Sequence, residues 1–278
     1  LWSPGIKWGV QRGSYTHLTE FFGPVLGVMR FEKLHEAIAL VNQTGYGLTS
    51  GLESLDDREQ AEWKSGIWAV QLYIKLGTTG AIVLRQPFGG MGKSALGPGL
   101  KAGGPNYVAQ FMQFESNREQ LSYPSESLTN PALDALALKM ITNGWDGIVD
   151  MGDEILHALA SCERAWQDEF GREHDHFRLI GQDNLRRYLP VRELRIRVHP
   201  DDNPVADYPR GAVTGAAGCR ITVSMPPGFE SKALQRLHDA TEDWAAATEF
   251  IEESDNELAS VIRHWRYVGL SVMPLAWT

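Results

Sequence analysis

From Pro24 to Ile74 the chain alternates between two hydrophobic periods, and that alternation most narrows the folds open to it. Pro24 to Phe31 reads as a strand. Leu34, Ala37, Ile38 and Val41 then fall at helical spacing on one face, and Gly45 stops the helix. Gly47 to Leu52 reads as a second short strand, Ser54 with Asp57 forms a capping box for a helix through Trp63, and Ile67 to Ile74 is an apolar run rich in strand formers. Strands that alternate with helices bury their faces by layering the helices on a sheet, so the expected class is α/β.

Between Gln86 and Pro105 the periodicity stops, with glycine at positions 89, 90, 92, 97, 99, 103 and 104. Gly90-Met91-Gly92-Lys93-Ser94 invites a phosphate-loop reading, but the position five residues before Gly92 is Pro87, which has no N–H to offer a phosphate. The helix that should follow is interrupted by Gly97-Pro98-Gly99, which likewise makes no dinucleotide fingerprint. Asn106 to Phe114 alternates like a strand, and the Ser- and Pro-rich stretch from Ser122 to Asn130 reads as a boundary.

Beyond that boundary, Ile155, Leu159, Cys162 and Trp166 share one helical face. Leu194 to Val198, Arg220 to Ser224 and Tyr267 to Met273 read as strands, with helical segments near Ala212 to Ala217 and Ser231 to Ile251 between them. The expected division is 1–121, a linker with helices at 122–176, and a second α/β region at 177–278.

Thirty-five acidic against 26 basic residues give a net charge of -9, which argues against nucleic acid and anionic membranes as partners. The short basic runs, Arg186 and Arg187 followed by Arg192, Arg195 and Arg197, read as a solvated face. No spanning or targeting segment is recognisable, and two cysteines, Cys162 and Cys219, fit a reducing compartment, so the expected location is cytoplasmic. Both thiols lie in apolar runs and read as buried and inert. His174-Asp175-His176 and His199 with Asp201 and Asp202 match no metal-ligand spacing, so no metal is expected. The first residue is Leu1 and the chain closes on Ala276-Trp277-Thr278, which suggests a piece of something longer.

Thr19-Glu20-Phe21-Phe22-Gly23-Pro24, Gly45-Tyr46-Gly47-Leu48, Thr79-Gly80-Ala81 and Gln86-Pro87-Phe88-Gly89-Gly90, in that order and register, resemble the carboxyl-terminal half of the aldehyde dehydrogenase superfamily. The fuller wording, from Leu1-Trp2-Ser3-Pro4-Gly5 through Ile82 to Phe88 and on to Gly103-Gly104-Pro105-Asn106-Tyr107, is similar to the L-glutamate γ-semialdehyde dehydrogenase part of the bacterial proline utilisation A family. In that family one chain also carries a flavin-dependent proline dehydrogenase, so the resemblance places FAD elsewhere in a parent chain and NAD at this end.

The resemblance implies roles by position. Glu20 would accept hydrogen bonds from the nicotinamide ribose hydroxyls and Phe22 would pack near the nicotinamide. Gly80 and Ala81 would hold the substrate's α-carboxylate through backbone N–H groups, and Phe88 would line its aliphatic part. The family's nucleophilic cysteine lies upstream of the motif containing Glu20, and none of the nineteen residues before Glu20 is cysteine, so no catalytic residue is assigned. Where the family reads Ala-Gly-Asn-Leu-Tyr-Ile-Asn-Arg, this chain has Ala69-Val70-Gln71-Leu72-Tyr73-Ile74-Lys75-Leu76, with changes of size or class at Val70, Gln71, Lys75 and Leu76.

Leu179-Ile180-Gly181-Gln182-Asp183-Asn184 through Pro226-Pro227 resembles the extra carboxyl-terminal domain of the longer family members, a degenerate Rossmann-like fold without catalytic residues. The stretch 106–114 resembles the family's oligomerisation flap, which implies a homo-oligomer. Two readings follow: an inactive piece of a NAD-dependent semialdehyde dehydrogenase of proline catabolism, or a non-catalytic assembly and lid module. The first also implies apolar surface exposed where a cofactor domain would cover it.

Overall fold

The computed structural model describes residues 3–79, 81–82, 85–96, 100–113, 128–142, 149–190, 193–199, 218–242, 248–265 and 271–273. The chain divides into two compact units, Leu1–Gln113 and Phe114–Thr278.

In the first unit, β1 (Gly5–Trp8) and β2 (Val25–Val28) pair in parallel, joined through the short helix α1 (Tyr15–Leu18). Helix α2 (Leu34–Gln43) starts where the Glu36 carboxylate accepts the Glu32 and Lys33 backbone N–H groups, and ends where Gly45 turns the chain at φ +76°. Ile38 is its buried residue; Val41, expected on the same inner face, is exposed. Next come β3 (Tyr46–Gly47), β4 (Thr49–Leu52), α3 (Asp57–Gly66) and β5 (Gln71–Ile74), with β4 and β5 parallel in the register Thr49 to Gln71. Ile38, Trp63 and Ile67 form the core of this unit, closed by Leu34, Leu52, Leu72 and Ile74.

Three expectations need correction here. The α3 cap is Asp56, whose carboxylate accepts the Arg58 N–H at 2.8 Å; Ser54 instead donates to Glu59 at 2.5 Å, because it lies ahead of the cap position. Strand β5 covers only Gln71–Ile74, since Ile67 and Ala69 are buried in an irregular approach to it. The stretch 106–114 is no strand where described. After the turn at Gly103–Tyr107, Val108–Phe111 forms a 3-10 helix, and Phe114 lies outside the described residues.

The second unit holds a four-stranded parallel sheet in the order β10–β7–β8–β9, with β7 at Glu193–Arg197, β8 at Arg220–Met225, β9 at Thr248–Glu252 and β10 at Ser271–Met273. Leu194, Ile196, Ile221 and Val223 form one apolar face, covered by Leu234 of α6 (Lys232–Thr241). The expected helix over 231–251 thus ends at Thr241, and its tail is β9, whose Thr-Glu-Phe-Ile-Glu order has strand alternation. Helix α7 (Asp255–Trp265) follows β9. The expected helix near 212–217 lies outside the described residues.

Within the basic run, Arg195 and Arg197 are not solvated. Arg195 is buried and pairs through Nη1 with both oxygens of buried Glu253, at 3.1 and 2.8 Å. Arg197 donates to the Ser224 hydroxyl, the Glu253 carbonyl and Asp255, tying the carboxyl ends of three elements together.

Helices α4 (Pro131–Thr142) and α5 (Val149–Ala165) pack Leu133, Leu136 and Ala137 against Ile155 and Leu159, with Ala240 of α6. Trp166, placed by spacing on that buried face, opens a π-helical turn (Trp166–Phe170) that swings it outward to 40% exposure. The buried residue of that end is Glu163. Its carboxylate accepts the Thr129 N–H at 3.0 Å, the Thr129 hydroxyl at 2.7 Å and the Asn130 N–H at 2.5 Å, just before Asn130 caps α4 through the Ala132 and Leu133 N–H groups. A carboxylate at a helix N-terminus also meets the positive end of the helix dipole.

Burial pushes the Glu163 carboxyl up, but the hydrogen bonds from Thr129 and Asn130 outweigh it and hold the group below its ordinary value of 4.5. Because the folded-state pKa is depressed, the stability it contributes is complete above about 4.5 and is lost as pH falls through the folded-state value. Glu163→Gln is expected to cost about 1–3 kcal/mol at neutral pH and to remove that part of the acid-side loss. Urea unfolding at pH 7 and pH 4 checks this; an identical acid-side loss in the variant would show that Glu163 does not supply it.

Candidate functional site

The segment carrying Gln86 to Gly90 is held by a crossing of backbones that only glycine permits. β6 (Met91–Gly92) pairs antiparallel with β3, Tyr46 opposite Gly92. A Cβ on Gly47 would lie 2.6 Å from Met91 Cγ, one on Gly90 2.3 Å from the Ser94 carbonyl oxygen, and one on Gly92 2.5 Å from the Gly45 carbonyl oxygen. Lys93 and Ser94, which mimic a phosphate loop in sequence, serve this crossing. The Lys93 ammonium donates to the Thr44 carbonyl at the end of α2 at 2.8 Å and lies over the Tyr46 ring, and the Ser94 hydroxyl accepts the Gly47 N–H.

From the other side, β5 grips the same segment. Gln71, only 6% exposed, donates its amide N–H to the Pro87 carbonyl, and the buried Tyr73 hydroxyl donates to Gln86 Oε1 at 3.3 Å. The Lys101 ammonium donates to the Gly90 carbonyl, and burial pushes its pKa down. Phe88 and Ala102 exchange backbone hydrogen bonds at 2.9 and 2.8 Å, which leaves the Phe88 ring 40% exposed. Gln71 stood out in the sequence only as a departure from a pattern, and Lys101 did not stand out at all. A buried glutamine inside an apolar strand is the signal that marks such a clamp.

Of the two anchor residues, Ala81 is half-buried and Gly80 lies outside the described residues. The turn leading there begins at Lys75, whose φ of +56° is the left-handed region, and folds back until Thr78 Cγ2 would lie 2.7 Å from a Cβ on Gly51. This turn leaves the carboxyl ends of parallel strands β4 and β5, and Lys75 N–H donates to the Leu52 carbonyl at 3.1 Å. Asparagine tolerates that conformation, so lysine there is strained where the family's amide is not.

Glu20 and Phe22 follow α1, and both are exposed, Phe22 at 101%. Its neighbour Phe21 packs edge-on against Tyr15 at 5.8 Å. Helix α1 is fixed by His17, which accepts the Gly13 N–H on Nδ1 at 2.9 Å and lies 2.8 Å from the Leu40 carbonyl through Nε2. Among the described residues no hydrogen bond or ring contact joins Glu20 or Phe22 to Ala81 or Phe88. The structure holds Phe88's segment to strand β5, and the turn that leads towards Ala81 leaves the end of the same strand.

In the second unit, Cys162 is half-buried, with its thiol pKa pushed up by burial, and Cys219 is buried. His174 and His176 stack at 5.5 Å. Asp175 accepts the backbone N–H groups of Phe177, Arg178 and Asn184, so this trio closes a loop. His199 is exposed, and Asp201 and Asp202 lie outside the described residues.

Residues 1–117 match the aldehyde dehydrogenase family model, and the first unit carries part of that fold. More narrowly, the chain is 47% identical over 95 residues to the bifunctional protein PutA of Rhizobium meliloti, covering 34% of this chain and 8% of that protein. It is 39% identical over 102 residues to the 1-pyrroline-5-carboxylate dehydrogenase of Bacillus cytotoxicus, covering 37% of this chain and 19% of that one. The solved structure of proline utilization A from Corynebacterium freiburgense matches with a TM-score of 0.66 at 34% identity, over 91% of this chain and 25% of that chain. Since the first unit ends at Gln113, coverage of 91% takes in most of the second unit as well. The chain spans only a small part of each of these relatives.

Lys75→Asn is expected to stabilise the chain by about 0.5–1 kcal/mol, by relieving the left-handed strain without losing the backbone bond to Leu52. Thermal unfolding compared with Lys75→Ala, which keeps the strain, tests it; equal melting of the two variants would place the strain elsewhere.

Proposed function

We propose that the chain is the carboxyl-terminal part of a NAD-dependent L-glutamate γ-semialdehyde dehydrogenase that works in proline catabolism, inactive when isolated. The observation that carries this reading is the TM-score of 0.66 at 34% identity to a proline utilization A over 91% of the chain. The 39% identity to a 1-pyrroline-5-carboxylate dehydrogenase supports the same substrate.

The residues present fit the nicotinamide end of NAD. Glu20 offers an exposed carboxylate, an acceptor-only group suited to a ribose diol, and Phe22 offers a ring with both faces open. NAD, when bound, would supply the hydride acceptor. Glu20 holds and Phe22 orients; Gly80 and Ala81 receive the α-carboxylate through backbone N–H groups; and Phe88 excludes water along the aliphatic stem. FAD belongs to a proline dehydrogenase elsewhere in a parent chain.

Residues 177–278, within the second unit, are read as a degenerate Rossmann-like domain of structural role. Its all-parallel sheet supports that, as does a buried face given over to the Arg195–Glu253 pair. The chain is assigned to the cytoplasm, and among the described residues no helix is long and apolar enough to cross a membrane. A homo-oligomer through 106–114 remains part of this reading, by way of exposed Val108 and Phe111 on the 3-10 helix.

The isolated chain, given NAD and glutamate semialdehyde, is expected to make no NADH, and turnover would overturn the requirement for a cysteine outside it. Transplanting residues 1–117 into the Bacillus cytotoxicus enzyme in place of its matching segment is expected to preserve dehydrogenase activity. In that chimera Glu20→Gln is expected to raise the KM for NAD roughly tenfold to a hundredfold, the loss of a charged hydrogen bond. An unchanged KM for NAD removes Glu20 from the cofactor site.

A further inference from the structure

Phe88 is fixed by groups that hold its neighbours' carbonyls. The Gln71 amide takes the carbonyl of Pro87, on one side of Phe88, and the Lys101 ammonium takes the carbonyl of Gly90, two residues beyond it. Tyr73 steadies Gln86, and the Phe88–Ala102 pair closes the loop. Both donors are drawn from water: Gln71 is buried in β5 and Lys101 is half-buried. A buried donor that loses its acceptor costs more than an exposed one, so the pair resists displacement of the segment. Gln71 stands where the family resemblance has the shorter asparagine, and its extra methylene carries the amide toward Pro87.

We propose that Gln71 and Lys101 are positioning residues that set where the Phe88 ring stands, and through it the length of aliphatic chain the substrate end accepts. The chain-length part rests on the reading that Phe88 lines the substrate; the clamp itself does not. An outward shift of the segment would lengthen the space beside Phe88 by about one methylene, and such a site discriminates by roughly tenfold or more per methylene.

The test uses the full 278-residue chain with Gln71→Met, which keeps the length and cannot donate, and Lys101→Met, which keeps the stem and loses the charge. Hydrogen exchange of the Phe88 and Ala102 amides is expected to rise about tenfold in each variant. The Gln71 and Lys75 amides, bonded to Leu48 and Leu52, should be unchanged. L-Glutamate and L-2-aminoadipate, which is one methylene longer, are then titrated while the Phe88 ring signals are followed, and both variants are expected to lower the preference for glutamate. A purely structural role would weaken both ligands alike. Unchanged exchange at Phe88 overturns the proposal, and so does uniform acceleration through the first unit, which would make the two residues ordinary supports of the fold. Local acceleration with no response of Phe88 to glutamate in the unaltered chain upholds the clamp and overturns both its chain-length role and the substrate reading of Phe88.

Discussion

The crossing of Gly45 and Gly47 over Gly90 and Gly92 is the constraint on which the first unit's site depends. A Cβ on Gly92 would strike the Gly45 carbonyl and one on Gly47 the Met91 side chain, so the Gln86–Gly90 segment is referenced to the end of α2 and not to a flexible loop. Lys93 adds its charge to the carbonyl end of the same helix, and Gln71 and Lys101 then hold the two flanks of Phe88. Removing one of these contacts moves the others, because all bear on one short stretch of main chain.

The second unit is organised by buried charge. Glu163 binds the entry to α4, and Arg195 with Glu253 occupies the sheet face opposite the Leu194–Ile221 core. Such groups add little net stability over apolar packing, yet breaking one partner leaves an uncompensated charge. They therefore fix which arrangement of strands is adopted more than how firmly it is held.

What was legible in the sequence follows from how far each signal reaches. Helix α2, strands β4 and β8, and the glycine-rich turn were readable because period and punctuation are local. Arg195 was read as solvated because its partner Glu253 lies 58 residues away. Asn106 to Phe114 showed a period of two but follows Gly103-Gly104-Pro105, and the chain tightens into a three-residue turn. Trp166 kept the spacing of a buried face, and a π-helical turn changed the phase. In the site, the motif residues were visible one by one, whereas the Gln71 contact spans 16 residues and is seen only in three dimensions.

The pair β1 and β2 leaves Trp8 72% exposed, with Ile6, Val25 and Leu26 also open to water. Two forces then govern the chain in solution. Apolar contact between copies draws them together, while a net charge of -9 holds them apart. Salt weakens the second and not the first, since the screening length falls to about 10 Å at 0.1 M. Raising the ionic strength therefore lowers the concentration up to which this polypeptide stays dispersed.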